Sequence, residues 1–148
     1  MRLVLDTNIL ISACWSPGGL EAALVRLGVE RQVTLCATEI LLEEYREVGE
    51  RPKFAARRAC FAELLDAITR SAELVRAGAA VDEARDPDDN RLRECAVAAQ
   101  ADWLLTGNLR DFPAVWPDLW RGVRSANARQ FFNANPAWAA KASVSPGP

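Results

Sequence analysis

Leu3-Val4-Leu5-Asp6-Thr7-Asn8 opens the chain with an apolar run that stops abruptly at a carboxylate. A short apolar run without alternation is typical of a strand buried on both faces of a parallel sheet, so we predict a strand over residues 1–5. In open parallel sheets, functional groups gather outside the carboxyl ends of the strands. Asp6 is therefore the first candidate functional residue.

Short apolar runs and helix-like spacings alternate along the rest of the chain. We predict further strands over residues 33–37, 72–75 and 103–105, and a brief edge strand at Val123. We predict helices over residues 20–31, 39–50 with Thr38 as the N-cap, 55–69 and 126–132, and another helix after the polar loop 82–90. This alternation predicts an α/β fold, a three-layer sandwich around a parallel sheet.

The length of 148 residues fits one domain, which we place at residues 1–135. Residues 136–148 are rich in Ala, Ser, Pro and Gly and are expected to form a loose tail. No apolar run approaches the roughly 20 residues that a membrane-spanning helix requires, and the amino terminus does not resemble a signal peptide. We therefore expect a cytoplasmic protein that does not enter membranes.

The sequence contains no histidine. This excludes Ser-His-Asp and Cys-His catalysis, His-based acid/base chemistry and His-containing zinc sites. Catalysis would have to use carboxylates, metal ions or lysine. The formal net charge of −2 is unusual for a protein that binds nucleic acid, because phosphate contacts come from Lys and Arg.

Carboxylates recur at places where a parallel sheet would bring them together. Glu44 interrupts the apolar stripe of the helix that follows the second strand, and an inward carboxylate is costly unless a cation meets it. Asp88 and Asp89 precede the helix that leads into the fourth strand, and Asp111 follows that strand. Mg²⁺ and Mn²⁺ prefer oxygen ligands and can promote phosphodiester hydrolysis without histidine.

Four stretches of the chain resemble the PIN domains, and within them the VapC-like toxin components. They occur in the family's order and cover roughly residues 1–132. The stretches are Leu3-Val4-Leu5-Asp6-Thr7-Asn8-Ile9-Leu10, Glu44-Tyr45-Arg46-Glu47-Val48 with Arg51-Pro52-Lys53-Phe54, Asp86-Pro87-Asp88-Asp89-Asn90, and Trp103-Leu104-Leu105-Thr106-Gly107-Asn108-Leu109-Arg110-Asp111-Phe112.

The resemblance implies a sheet of strand order 3-2-1-4-5 and a ribonuclease that uses Mg²⁺ or Mn²⁺. It carries the metal-binding and catalytic acids onto Asp6, Glu44, Asp89 and Asp111. Asp88 is the alternative to Asp89, and Asn108 stands where some relatives have the acid carried here by Asp111. The resemblance also implies a homodimer and allows an antitoxin protein as a partner.

Other polar residues near these acids have supporting roles or structural ones. Asn8, Thr106 and Asn108 are suited to holding the carboxylates or a phosphate. Lys53, Arg57 and Arg58 form the densest basic cluster and are candidates for binding the RNA backbone, although they equally fit a solvated helix face.

Each acid also has a purely structural interpretation. Asp6 could form a turn or cap the next helix, and Glu43 fits a solvent-facing charge better than a ligand. One of Asp88 and Asp89 could be an N-cap, and Asp111 could start a turn.

Two functions remain compatible with the sequence. The first is a metal-dependent endoribonuclease acting as the toxin of a type II toxin–antitoxin pair. The second is a non-catalytic PIN-like scaffold that binds RNA or a protein partner. Phosphatase chemistry of the haloacid-dehalogenase type is disfavoured because Asn8 stands where its second Asp is expected, and no phosphate-binding glycine motif occurs.

Overall fold

A computed structural model of the chain describes residues 1–78, 87–112 and 114–148, with side chains for all of these except residues 87–89 and 111. The described part contains a mixed α/β fold with one six-stranded sheet. The strands are β1 (Arg2–Leu5), β2 (Thr34–Ala37), β3 (Glu73–Leu74), β4 (Trp103–Leu105), β5 (Leu119–Trp120) and β6 (Val123–Ala126).

The sheet has the order β3-β2-β1-β4-β6-β5, and only β5 is antiparallel to its neighbour. The predicted order 3-2-1-4-5 is confirmed, with β6 as its fifth strand. The predicted strand at Val123 is confirmed as β6, but its predicted position at the edge of the sheet is wrong, because β5 pairs with β6 on its outer side. Arg121 and Gly122 join the two strands with φ angles of 49° and 81°, and two such residues in a row allow a tight hairpin that matches the twist of the strands.

Seven helices and two short 3₁₀ segments surround the sheet in the described part of the chain. The helices are α1 (Thr7–Trp15), α2 (Leu20–Val29), α3 (Glu39–Gly49), α4 (Arg58–Ser71), α5 (Pro87–Ala98), α6 (Ala128–Ala134) and α7 (Pro136–Lys141), and the 3₁₀ segments are Pro52–Arg57 and Leu109–Asp111. The crossover from β3 to β4 runs across the sheet in the opposite direction from the two crossovers before it. Right-handed connections therefore place α5 on the opposite face from α1 and α2, which gives the three layers, and α3 contacts α5 as well as α1 and α4.

Helix α1 was not predicted from the sequence, although α2 and α3 were. It starts directly after Asp6 and buries Ile9, Leu10, Ala13 and Cys14. A helix that is apolar around most of its circumference lacks the contrast between faces that reveals a surface helix. In contrast, α3 is amphipathic and has the predicted N-cap, since the Thr38 hydroxyl accepts a hydrogen bond of 3.1 Å from the Leu41 amide.

Helix α5 begins earlier than predicted. Pro87–Asn90, assigned to a loop, form its first turn; residues 82–86 of that loop lie outside the described residues. Proline fits the first position of a helix because its fixed φ suits the helix and its missing amide has no partner there. Asp88 and Asp89 therefore occupy the first turn and not the N-cap position considered for them.

The C-terminal segment, for which we expected a loose tail, is helical over Pro136–Lys141. Ala139 is buried there, and Ala142 is buried just beyond the helix. Small side chains let this last helix approach the core closely. None of the described helices is both long and apolar enough to cross a membrane.

Close packing fixes α3 against α4, the helix that follows it. A Cβ added to Gly49 would lie only 2.2 Å from a ring carbon of Phe61, and Phe61 is itself buried. The absence of a side chain at this position therefore lets the aromatic ring rest on the end of α3.

We expect Gly49→Ala to destabilise the fold by about 1–3 kcal/mol because the new methyl group overpacks against the Phe61 ring. This exceeds the gain in helix propensity, which is up to about 1 kcal/mol. Urea unfolding measures the difference, with Gly18→Ala as the control, since nothing lies within 4 Å of a Cβ placed there. Equal stability of the two variants would contradict this account of the packing.

Candidate active site

Asp6 lies where β1 meets β4 at the carboxyl edge of the sheet. Its amide donates a hydrogen bond of 2.8 Å to the Leu105 carbonyl, which extends the β1–β4 pairing by one residue. Asp6 also occupies the N-cap position of α1, but its side chain makes no capping hydrogen bond. Its carboxylate oxygen Oδ2 instead accepts hydrogen bonds from Thr106 Oγ1 at 2.7 Å and Asn8 Nδ2 at 3.2 Å. The helix-cap interpretation of Asp6 therefore fails.

Thr106 and Asn8 form the support around this carboxylate, and both are neutral donors. Thr106 is fully buried and its Oγ1 accepts hydrogen bonds from Asn8 Nδ2 at 3.3 Å and from the Asn108 amide at 3.0 Å. Asn8 Oδ1 accepts a hydrogen bond of 2.9 Å from the Gly107 amide. The loop after β4 is thus tied to the start of α1.

Glu44 is buried, whereas Asp6 is half-buried. It lies on α3 and is only 8% exposed, whereas the side chain of Glu43 is 65% exposed and pairs with Arg46 at 3.2 Å. These exposures agree with the sequence interpretation, in which Glu44 interrupts the core-facing stripe and Glu43 faces solvent.

Tyr45, which was not among the residues predicted to support the site, links α3 to the end of β1. It is buried, and its hydroxyl donates a hydrogen bond to the Leu5 carbonyl, the residue just before Asp6. This bond fixes α3 against β1 and so sets where Glu44 lies. The only signal in the sequence was that the chain's one tyrosine stands next to Glu44.

The pKa of Tyr45 is shifted by both acids, which therefore lie within electrostatic range of its hydroxyl. Burial raises the pKa of the Tyr45 hydroxyl well above its usual value, and the neighbouring Cys95 thiol raises it further. The carboxylates of Asp6 and Glu44 also raise this pKa, because negative charge near a hydroxyl disfavours its ionisation. Both acids therefore act on the same buried hydroxyl.

The remaining predicted acids are placed by their backbone alone. Asp88 and Asp89 lie in the first turn of α5, and Asp111 ends the 3₁₀ segment that follows β4. Because α5 leads back into β4, its first turn lies toward the carboxyl edge of the sheet, as does the segment after β4. The side chains of these three residues lie outside the described ones, so the choices between Asp88 and Asp89 and between Asp111 and Asn108 stay predictions.

The donor set suits a hard divalent cation. It consists of oxygen ligands, as Mg²⁺ and Mn²⁺ prefer, and it includes a buried carboxylate whose charge a cation would neutralise. The described side chains do not include those of Asp88, Asp89 and Asp111. Among the side chains that are described, no group of three or more His, Cys, Asp or Glu residues is placed to hold a metal ion. Asp6 and Glu44 are the part of the predicted set whose side chains the structure describes.

The predicted basic cluster lies on the segment that follows α3. Lys53, Arg57 and Arg58 are all exposed. Arg58 donates a hydrogen bond of 3.2 Å to the Glu50 carbonyl and thus caps the end of α3, a structural role that the sequence did not indicate. Lys53 and Arg57 lie over the aromatic rings of Phe54 and Trp15.

These features define a class of α/β proteins with a carboxylate site at the carboxyl edge of a mainly parallel sheet. Residues 2–110 match the family model of the PIN domain. The chain therefore belongs to the PIN-domain family, whose members are generally nucleases that use divalent metal ions.

No curated protein matches the chain. Among solved structures, the chain is similar to one in the crystal structure of VapBC2 from Rickettsia felis bound to a DNA fragment from their promoter. The TM-score is 0.55 at 16% sequence identity, and the match covers 86% of this chain and 98% of that chain. At this identity the likeness concerns the fold alone.

Tyr45 gives a direct spectroscopic test of the site. Because its pKa is raised on folding, the folded state keeps the proton longer than the unfolded state, so stability should fall as pH rises above the ordinary tyrosine pKa of about 10. We expect no tyrosinate absorbance from the folded, metal-free protein at that pH, and its appearance only with alkaline unfolding. Protein unfolded in urea is the control and should titrate near pH 10. Ionisation of folded Tyr45 near that pH would contradict the buried bond to Leu5.

Proposed function

We propose that the chain is a cytoplasmic, metal-dependent endoribonuclease that hydrolyses RNA phosphodiester bonds at Asp6 and Glu44, with Asp89 and Asp111 completing the site. The observation that carries this proposal is the orientation of Asp6. Its carboxylate stands at a helix N-cap yet makes no capping bond, and is held instead by Thr106 and Asn8. A residue needed only for a turn or a cap has no reason for that arrangement.

The two described acids are held in place by different contacts, and both supply oxygen atoms of the kind that a hard divalent cation prefers. Thr106 and Asn8 fix Oδ2 of Asp6 without adding a positive charge that would compete with a metal ion. Tyr45 holds α3 on the end of β1 and thereby keeps Glu44 near Asp6. When bound, Mg²⁺ or Mn²⁺ supplies Lewis acidity that activates water and neutralises charge on the phosphate.

Preorganisation explains why the supporting residues matter. Carboxylates brought together without a cation repel each other, and the repulsion would spread them apart in a loose scaffold. The buried bonds of Thr106 and Tyr45 hold the acids in place before any ligand arrives. Substrate phosphate then meets a fixed arrangement, which lowers the reorganisation needed during reaction.

RNA binding by an acidic protein requires positive charge at one place. In this proposal Lys53 and Arg57 hold the RNA backbone, with Arg58 contributing through the same segment while it caps α3. The family membership and the VapBC2-like fold support a role as the toxin of a type II pair with an antitoxin partner. We also propose that the chain forms a homodimer, as the sequence resemblance implies. The reading frame next to the gene is the observation that decides whether an antitoxin is encoded.

We expect the purified protein to cleave structured or single-stranded RNA in the presence of Mg²⁺ or Mn²⁺. Excess EDTA should abolish cleavage, and added Mn²⁺ should restore it, because the acids alone provide no group that activates water strongly at neutral pH. Product formation on labelled RNA measures this. Cleavage that persists after chelation would contradict the metal mechanism, and RNA or partner binding without cleavage would favour the non-catalytic scaffold.

The acids themselves are tested by neutral isosteres. Asp6→Asn and Glu44→Gln should each reduce cleavage by orders of magnitude and abolish most of the rise in melting temperature that Mn²⁺ gives the wild type. The matched control is Glu43→Gln, a neighbouring glutamate that faces solvent, and it should leave both measurements unchanged.

Stability separates a ligand from a structural residue. Without metal, Asp6→Asn removes one negative charge from the proposed site, where carboxylates a few ångströms apart would repel by about 1 kcal/mol or more per pair, while an oxygen remains to accept the bonds from Thr106 and Asn8. The metal-free variant should therefore be as stable as the wild type or more so. A folded Asp6→Asn protein with undiminished cleavage and Mn²⁺ response would overturn the assignment.

A further inference from the structure

The segment between α3 and α4 concentrates positive charge in an otherwise acidic protein. Residues 51–58 read Arg51-Pro52-Lys53-Phe54-Ala55-Ala56-Arg57-Arg58, with four cations and no acid, whereas the whole chain has 18 Lys and Arg against 20 Asp and Glu. No residue of this segment forms an ion pair with an acid in the described part of the chain. Its charge is therefore not neutralised within the described part of the molecule.

An exposed aromatic ring accompanies this charge. Trp15, the last residue of α1, is 45% exposed, in contrast to Trp103 in β4, which is 3% exposed. The guanidinium of Arg57 lies over the Trp15 ring, 5.1 Å from its centroid. On the same segment, Lys53 Nζ lies 5.0 Å from the centroid of the Phe54 ring.

Packing alone explains this arrangement poorly. An indole that served only the core would be buried, as Trp103 is, and nearly half of the Trp15 side chain remains open to solvent despite the arginine above it. Flat aromatic surface next to cations that have no acidic partner among the described residues suits a ligand with flat rings and repeated negative charge. Single-stranded nucleic acid has both, since its bases stack on aromatic and guanidinium planes while its phosphates meet Lys and Arg.

We propose that Trp15, with Arg57 and Lys53, forms a subsite that stacks one unpaired base of single-stranded RNA and holds the adjoining phosphates. This inference rests on the proposed function, to which it adds the position at which one base of the substrate is held. A base inside a duplex is already stacked on its neighbours and does not offer its face to the indole.

The subsite lies apart from the carboxylates. Helix α1 begins at Thr7, directly after Asp6, and ends at Trp15. With a rise of 1.5 Å per residue, Trp15 therefore lies about 12 Å along the helix axis from Thr7. A base on Trp15 would thus belong to a nucleotide a few positions away from the cleaved bond. The subsite would fix the register of a single strand across the acids.

The test measures binding of a single-stranded RNA oligonucleotide under conditions that prevent its cleavage. EDTA in the buffer removes divalent metal ions, and 2′-O-methyl groups on the oligonucleotide block attack by its own 2′ oxygens. We expect Trp15→Leu to weaken binding by about tenfold or more, within the range found for loss of one base–aromatic stack. Trp15→Phe should restore most of the affinity, because it keeps an aromatic face. Duplex RNA of the same sequence should bind equally to all three proteins.

The matched control is Trp138→Leu, since Trp138 also lies under a cation, with Lys141 Nζ 5.0 Å from its ring centroid, but on α7. The affinity of the Trp138→Leu variant for the oligonucleotide should equal that of the wild type. Melting curves identify any variant that does not fold. Lys53→Ala and Arg57→Ala should each reduce the dependence of affinity on salt concentration, as expected when a phosphate contact is lost.

The outcomes separate this inference from the proposed function. If the wild type cleaves RNA but folded Trp15→Leu binds the oligonucleotide as tightly as the wild type, the subsite is overturned and the nuclease stands. If no metal ion supports cleavage but binding still depends on Trp15 with rescue by Phe, the subsite stands and the nuclease is overturned. A loss of affinity that Phe does not restore would overturn base stacking.

Discussion

The hydrogen bond from the Asp6 amide to the Leu105 carbonyl closes the pairing of β1 with β4, the central strands of the sheet. Register along this pair sets Leu5 beside Leu105, so the next residues, Asp6 and Thr106, emerge side by side at the carboxyl edge. A slip of one residue would turn each side chain to the other face of its strand. The contact between the carboxylate and its threonine donor, and with it the whole site, depends on this register.

Holding acids together costs free energy, and the surrounding residues offset that cost in a particular way. The supports that the structure describes, Thr106, Asn8 and Tyr45, are neutral and make short-range bonds. A permanent cation in their place would have stabilised the acids more strongly, but it would also have occupied the position that a divalent ion needs. In the proposed function, this neutral support leaves the charge of the acids to be balanced by a metal ion.

Much of this arrangement could be predicted because the decisive residues break a local pattern. Asp6 ends an apolar run and Glu44 interrupts an apolar stripe, and both signals are local in sequence. The bond of Tyr45 to β1 joins residues 40 positions apart and leaves no local trace. Helix α1 was missed because it lacks a polar face, and the hairpin at Arg121-Gly122 because arginine seldom occupies a position with positive φ.

Both edges of the sheet are short. The outermost strands, β3 (Glu73–Leu74) and β5 (Leu119–Trp120), have two residues each, and the first of them carries a charged glutamate paired with Arg2. So few unpaired backbone groups offer little template for another chain to add a strand. These edges therefore disfavour joining two copies of the chain through the sheet, and the proposed homodimer is expected to use helical surface instead.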